Sequence, residues 1–195
     1  MKFKLATALV LTSLCAGPAF CTTISFAGGG SLGASHTFGS APTTVTAYAF
    51  GGSGNLFGKS GGGTENGLGI SDGGQNEITN SDFVQLDLTN ITNPFSLSIG
   101  STQNTEGFKL CFSSVLGTLG SCTDIPHPGS DPFSTASLTK PAGDQFVSIQ
   151  ADRGGNVLID SLTTTTAATP EPSSLLLLGT GIVGAAGLIR RKFVV

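Results

Sequence analysis

The sequence predicts an all-β protein: a jelly-roll-like β-sandwich of about eight to ten strands, preceded by an N-terminal signal peptide and followed by one C-terminal transmembrane helix. Three observations predict this class. Apolar and polar residues alternate with the period of two that is typical of half-buried strands. Glycine supplies 29 of the 195 residues, which favours turns and short strands. No segment before Ser173 carries the apolar stripe of an amphipathic helix.

Charge excludes one large class of partners. Charged residues make up 11% of the chain, whereas an average soluble domain has roughly 25%. Between residues 22 and 169, four basic residues face eleven acidic ones, so this part of the chain carries a net charge of −7. Nucleic acid attracts basic surfaces through its phosphates, and it is therefore not an expected partner.

Residues 1–21 predict a secretory signal peptide. Two lysines precede an apolar run that ends at Leu14, and small residues follow it, as signal peptidase requires. Cleavage is expected after Ala19 or after Cys21. The alternative is an uncleaved N-terminal helix, which is disfavoured because the apolar run is too short to cross about 30 Å of hydrocarbon.

Residues 22–162 predict the β-rich exported domain. Clusters of glycine, asparagine, proline and aspartate separate short runs of apolar and β-branched residues. Each of these runs has the length and composition of a half-buried strand. The six runs are residues 43–50, 83–88, 95–99, 108–112, 146–149 and 157–160.

The segment 27–74 contains sixteen glycines, and we expect long flexible loops there. Two glycine-containing segments in it resemble known binding or catalytic motifs. The segment from Ser53 to Ser60 has the Gly58, Lys59 and Ser60 of a phosphate-binding loop, but Ser53 stands where the first glycine is required. The GxSxG pattern that begins at Gly29 is followed by no predicted helix. We interpret both as chance matches in glycine-rich sequence.

Cys111 and Cys122 predict a disulfide, because an exported protein folds in an oxidising compartment. The residues between them can form a hairpin whose four-residue loop is Val115 to Thr118, which would place the two cysteines opposite each other. A redox or metal-binding pair is the alternative, and it is disfavoured because the CxxC spacing and a nearby histidine are missing.

Four oxygen-bearing residues are candidate calcium ligands: Asp72, Asn76, Glu77 and Asp82. Calcium binds six to eight oxygens, and a loop of this composition can supply several of them. The spacing departs from that of an EF-hand, because Gly74 stands where the second ligand is needed. The alternative interpretation is that these side chains form turns by accepting hydrogen bonds from nearby amides. No cofactor is expected.

The sequence lacks a coherent catalytic set, and we expect no enzymatic activity. His36 and His127 are the only histidines, and His127 lies between two prolines in a predicted surface turn. An exported hydrolase that uses acidic residues is the enzymatic alternative.

Residues 163–169 predict a threonine and alanine linker to a C-terminal membrane segment. The uncharged stretch 173–189 predicts a helix of about 26 Å, which is marginal for a hydrocarbon core of about 30 Å. The positive-inside rule keeps the basic residues after it in the cytoplasm and places the domain before Pro170 outside. These basic residues are Arg190, Arg191 and Lys192. A plain tail anchor is the alternative interpretation.

Residues 170–195 resemble the PEP-CTERM protein-sorting signal. The resemblance lies in the tripeptide Pro170, Glu171 and Pro172, the short apolar span after it, and the basic cluster near the C-terminus. It implies an exported protein of a Gram-negative bacterium that makes exopolysaccharide. It also implies that exosortase, a membrane-embedded processing enzyme, recognises the tail.

Together these observations predict an exported cell-surface or extracellular-matrix protein with a structural or interaction role, anchored in the membrane until its tail is processed. The alternative is a carbohydrate-binding module of an exopolysaccharide or biofilm matrix, with or without calcium. Few aromatic side chains are available to stack on sugars, because the chain has no tryptophan and one tyrosine, Tyr48.

Overall fold

The computed structural model describes residues 19–63, 65–103, 106–126, 128–152, 154–167 and 179–182. Residues 21–165 form one compact unit. The described part of the chain contains thirteen strands: β1 Ala19–Ser25, β2 Gly30–Gly33, β3 Ser35–Ser40, β4 Thr43–Phe50, β5 Leu56–Ser60, β6 Asn66–Ile70, β7 Phe83–Asp87, β8 Phe95–Gly100, β9 Gly107–Ser113, β10 Ser121–Ile125, β11 Phe133–Ser134, β12 Phe146–Asp152 and β13 Leu158–Ala167.

The strands form two sheets in a sandwich-like arrangement, and every pairing whose register the structure defines is antiparallel. Sheet A has the order β11-β8-β13-β6-β5-β2, with β1 as a further partner of β13. Sheet B has the order β10-β9-β12-β7-β4-β3. The all-β prediction is confirmed, and all six predicted strands are present as β4, β7, β8, β9, β12 and β13.

The alternation seen in the sequence builds the core. In β4, buried and half-buried residues alternate from Thr43 to Phe50, so that Val45 and Ala47 are buried while Tyr48 stays half-buried. Leu86 of β7 and Ile149 of β12 extend the same buried layer from neighbouring strands. Burial of each such large aliphatic side chain contributes about 1.5–3 kcal/mol relative to exposure, so the core is the main source of stability.

The expectation of flexible loops over residues 27–74 is wrong, because this segment forms five strands, β2 to β6. Glycine is required here for close backbone packing. A Cβ atom at Gly58 would lie 2.5 Å from the carbonyl oxygen of Gly28, and one at Gly69 would overlap the carbonyl of Asn76. The predicted total of eight to ten strands is too low, because the described residues form thirteen. The seven strands outside the six predicted runs are β1, β2, β3, β5, β6, β10 and β11.

The predicted linker 163–169 is also wrong over most of its length, because β13 continues to Ala167. Thr163 pairs with Ser96 of β8, and Thr164 pairs with Phe95. A run of threonines has the β-branched side chains that suit a strand, and in this run Thr164 is buried.

The two predicted signals at the chain ends lie largely outside the described residues. Of the predicted signal peptide 1–21, the structure describes only residues 19–21, which belong to β1. Of the predicted helix 173–189, it describes residues 179–182, and these are helical. Within the described residues, no helix has the length and apolar character needed to cross a membrane.

The predicted disulfide is confirmed. Cys111 in β9 and Cys122 in β10 lie directly opposite each other and are bonded. The amide of Thr118 donates to the carbonyl of Val115 over 3.3 Å, which closes the predicted turn. Gln85, fully buried on β7, accepts a hydrogen bond from the amide of Gly117 at 2.7 Å and so ties the loop to sheet B.

Replacing both bonded cysteines by serine should lower the free energy of unfolding by about 3 kcal/mol, because the unfolded chain would lose the restraint on a short loop. Urea unfolding of the oxidised protein measures this change. Cys21→Ser is the matched control, since Cys21 is a free and exposed cysteine. Equal stabilities for the double variant and this control would contradict the prediction.

Candidate functional site

A polar cleft of about 360 Å³ opens at one end of the sandwich. Its lining comes from β5 and from three connecting loops, those between β5 and β6, between β6 and β7, and between β8 and β9. All of the lining side chains are polar or charged. They are Lys59, Glu65, Gln75, Glu77, Ser101, Gln103 and Glu106.

Lys59 is the centre of the cleft. Its ammonium group donates to Glu65 Oε2 at 2.5 Å and also to Glu77 Oε1. Ser101 donates to the same Glu77 oxygen at 3.2 Å. Only 3% of the Glu77 side chain is exposed, against 21% of Lys59. The ion pair therefore satisfies a carboxylate that would otherwise be buried without a cation.

The three charged groups shift one another's pKa values in different directions. Burial raises the pKa of Glu77 above its usual range, and the hydrogen bond from Lys59 offsets this only in part. The hydrogen bond from Lys59 lowers the pKa of Glu65. Burial opposes the charge of Lys59, but its hydrogen bonds to the two carboxylates prevail and raise its pKa. Of the two carboxyl groups, Glu77 is therefore the one that is protonated more readily as the pH falls.

Amide side chains form the rim of the cleft. Gln103 Nε2 donates to Glu65 Oε1 at 2.9 Å. Asn156 Nδ2 donates to Gln75 Oε1 at 2.8 Å, and the Asn156 backbone amide donates to Glu106 Oε1 at 3.4 Å. Carboxylates and amides at this spacing can both accept and donate hydrogen bonds, which suits a ligand rich in hydroxyl or amino groups.

The four candidate calcium ligands fall into separate hydrogen-bonded groups. Asp72 Oδ1 accepts the amides of Gly74 at 2.7 Å and Asn76 at 2.9 Å. These bonds lower the pKa of Asp72. Asp82 accepts the amide of Thr79 at 2.6 Å, and Glu77 is bonded to Lys59. In the described part of the chain, no group of three or more acidic, histidine or cysteine side chains is arranged to hold a metal ion.

The contacts of Asp72 and Asp82 are those of turn-forming residues. His36 lies on β3, where its ring packs edge-on against Phe38 with the ring centroids 4.7 Å apart. It is not among the residues that line the cleft. His127 lies outside the described residues.

Of the cleft residues, only Glu77 was singled out by sequence as a candidate ligand. The sequence draws attention to Lys59 only as part of the segment that resembles a phosphate-binding loop. One signal was available: Lys59 is the only cationic side chain between residues 22 and 108, in a part of the chain that also holds six carboxylates. Which of these carboxylates meets Lys59 depends on how the loops fold.

Lys59→Met should destabilise the protein by about 3–5 kcal/mol near neutral pH, because it leaves Glu77 buried without a cation. A carboxyl group whose folded-state pKa is raised contributes stability fully below its unfolded-state pKa and loses it as pH rises through the folded-state pKa. Lys59→Met removes the hydrogen bond that lowers the pKa of Glu77, so this pKa should rise further in the variant. The loss of folding free energy caused by the substitution should therefore be larger at about pH 7 than at about pH 4. Urea unfolding at the two pH values measures this difference.

The matched control is Lys140→Met, because Lys140 donates to the carbonyl oxygen of Leu88 and not to a carboxylate. Adding Glu77→Gln to Lys59→Met should recover part of the loss at neutral pH. A pH-independent loss in Lys59→Met, with no recovery in the double variant, would contradict the assigned ion pair.

The predicted sorting residues lie outside the described part of the chain, both in the tripeptide and in the basic cluster: Pro170, Glu171, Pro172, Arg190, Arg191 and Lys192. A comparison with curated proteins finds no match to this chain. A comparison with protein families matches residues 168–192 to the PEP-CTERM protein-sorting motif. The chain is therefore a protein that carries the PEP-CTERM protein-sorting motif at its C-terminal end.

Proposed function

We propose that this chain is a non-enzymatic cell-surface or extracellular-matrix protein with a structural or interaction role. The observation that carries the proposal is the match of residues 168–192 to the sorting motif. The motif implies export, sorting to the cell envelope and processing by exosortase. Because the motif follows the last strand of the described residues, its removal would leave the β-domain intact as the part that reaches the surface.

The proposed route has three steps. Signal peptidase removes the N-terminal segment, with Ala19 or Cys21 as the last residue removed. The helix over residues 173–189 then holds the chain in the membrane, with its basic end in the cytoplasm. Exosortase finally cuts at or near the tripeptide that begins at Pro170, which releases or transfers the domain.

Two properties of the domain support an extracellular structural role. The Cys111–Cys122 disulfide suits an oxidising compartment. The sandwich keeps its polar side chains satisfied, since no buried side-chain nitrogen or oxygen among the described residues lacks a hydrogen-bond partner. Such a domain is suited to persist outside the cell, where no chaperone system repairs it.

The test is the intact mass of the protein in the envelope and the medium of a host that has exosortase and of one that lacks it. We expect a species without the first twenty or so residues and without the residues after about Pro172, formed only when the enzyme is present. Glu171→Gln serves as the matched variant and should reduce this species. A chain that keeps its tail in both hosts would overturn the sorting proposal.

A second candidate function is binding of a carbohydrate from the exopolysaccharide or biofilm matrix. The observation that favours it is the open polar cleft around Lys59. Sugar hydroxyls donate and accept hydrogen bonds, and the amide and carboxylate groups of Gln75, Gln103 and Glu106 can do the same. Because three carboxylates and one ammonium line the cleft, neutral or amine-bearing sugars should bind in preference to acidic ones.

A glycan array probed with the purified domain, with and without calcium, tests this candidate. Gln103→Leu should weaken binding of any glycan found by about 3- to 10-fold, because one or two hydrogen bonds are lost. Gln150→Leu is the matched control, since Gln150 bonds to the carbonyl of Asn80 away from the cleft. Absence of binding in both calcium conditions, or an equal effect of the two substitutions, would remove this candidate.

A further inference from the structure

The end of β13 is bonded into the sandwich immediately before the sorting motif. On one side it pairs with β8, where Thr163 faces Ser96 and Thr164 faces Phe95. It also pairs with β1, and the hydroxyl groups of Thr23 and Thr163 lie 3.0 Å apart. The strand continues to Ala167, and the matched motif begins at residue 168.

Thr92, in the loop between β7 and β8, holds this strand end with two hydrogen bonds. Its hydroxyl donates to the carbonyl oxygen of Thr165 at 2.9 Å. Its carbonyl oxygen accepts from the hydroxyl of Thr164, also at 2.9 Å, and the two hydroxyl groups lie 3.2 Å apart. We name these contacts the Thr92 clamp.

The loop that carries the clamp is itself held in place. Ile91 is buried in the core, and its amide donates to the carbonyl of Leu88 at 3.0 Å. On the other side of Thr92, the Asn93 side chain accepts the amide of Lys140 at 3.1 Å. Thr92 is therefore part of the fixed sandwich, so that movement at the clamp must come from the end of β13.

The distance from the strand to the cleavage region is short. Two residues separate Ala167 from Pro170. A fully extended chain advances at most about 3.6 Å per residue, so the three steps from Ala167 to Pro170 can span no more than about 11 Å. An enzyme that binds its substrate as an extended peptide contacts several residues on each side of the cut, and on the N-terminal side those before residue 168 belong to β13.

The strand end is open to solvent on one side. A groove of about 330 Å³ runs along it, lined by Thr163, Thr164 and Thr165 together with Phe95 and Thr135. Thr165 itself is exposed. The last residues of β13 can thus leave the sheet without disturbing the buried core, whose nearest member on this strand with an apolar side chain is Leu162.

We propose that processing of the tail requires residues 165–167 to detach from the sandwich, and that the Thr92 clamp controls how often they do. Thr92 is in this sense a positioning residue for the processing reaction, in which this chain is the substrate. The inference rests on the proposed sorting function. Each hydrogen bond lost from the clamp should increase the detached population several-fold.

The test uses the full chain with Thr92→Val, which keeps the size of the side chain and removes its hydroxyl. In a host with exosortase, pulse labelling should show the processed species forming about 2- to 10-fold faster than in the wild type. Amide exchange of residues 165–167 in the purified full-length protein in detergent should increase by a similar factor. Thr164→Val removes the hydrogen bond from the Thr164 hydroxyl to the Thr92 carbonyl oxygen but leaves the bond from Thr92 to Thr165, so it should increase processing less than Thr92→Val does.

Thr44→Val is the matched control. Thr44 accepts a hydrogen bond of 2.9 Å from the side chain of Asn90, in the loop that carries Thr92, but it does not contact β13. It should leave processing unchanged, which separates the clamp from general loss of stability in this loop.

Three outcomes would overturn the inference. Equal processing rates for wild type and Thr92→Val, with faster exchange in the variant, would show that detachment does not limit the reaction. An equal effect of Thr44→Val would show that the general stability of this loop, and not the Thr92 clamp, controls the rate of processing. Absence of processing in the wild type and in every variant would overturn the sorting function and the inference together, and is thereby distinguished from the first two.

Discussion

The structure depends on the pairing of β13 along both of its edges. β8 follows one edge of β13 from Leu158 to Thr164. β6 and β1 are its other partners in sheet A, with Ile159 opposite Leu68 of β6. Because β13 is the last strand of the described residues, sheet A is complete only when Leu158–Ala167 has folded.

This constraint connects the fold with the sorting signal. The same residues that complete sheet A are followed, within three positions, by the motif that a processing enzyme reads. The threonines from Thr163 to Thr165 have a structural role in the sheet and precede the tripeptide by only a few residues in the sequence.

The polar cleft shows a different kind of constraint. Loops from both sides of β6 and from the end of β8 meet at Lys59, and its ion pairs with Glu65 and Glu77 hold them together. A buried carboxylate is costly unless a cation accompanies it, so the three groups must be regarded as one unit. Any ligand of the cleft would have to bind to the remaining oxygen and nitrogen atoms at its rim.

The sequence by itself determined the parts of this protein that depend on local pattern. Alternation predicted six of the strands, from β4 to β13, because one buried face imposes a period of two. The spacing of Cys111 and Cys122 predicted their pairing, and the tail predicted the sorting motif. All of these can be recognised within a short stretch of residues.

Tertiary structure alone decided the rest. Gly58 and Gly69 lie in strands at points where another segment of backbone approaches too closely for a side chain. No neighbouring residue in the sequence reveals that approach. Which carboxylates meet Lys59 and why the threonines after Leu162 form a strand are likewise set by partners distant in sequence, such as Glu77 and Thr92. The physical reason is that a side chain's environment depends on contacts between segments, whereas sequence pattern reports only the period of burial along one segment.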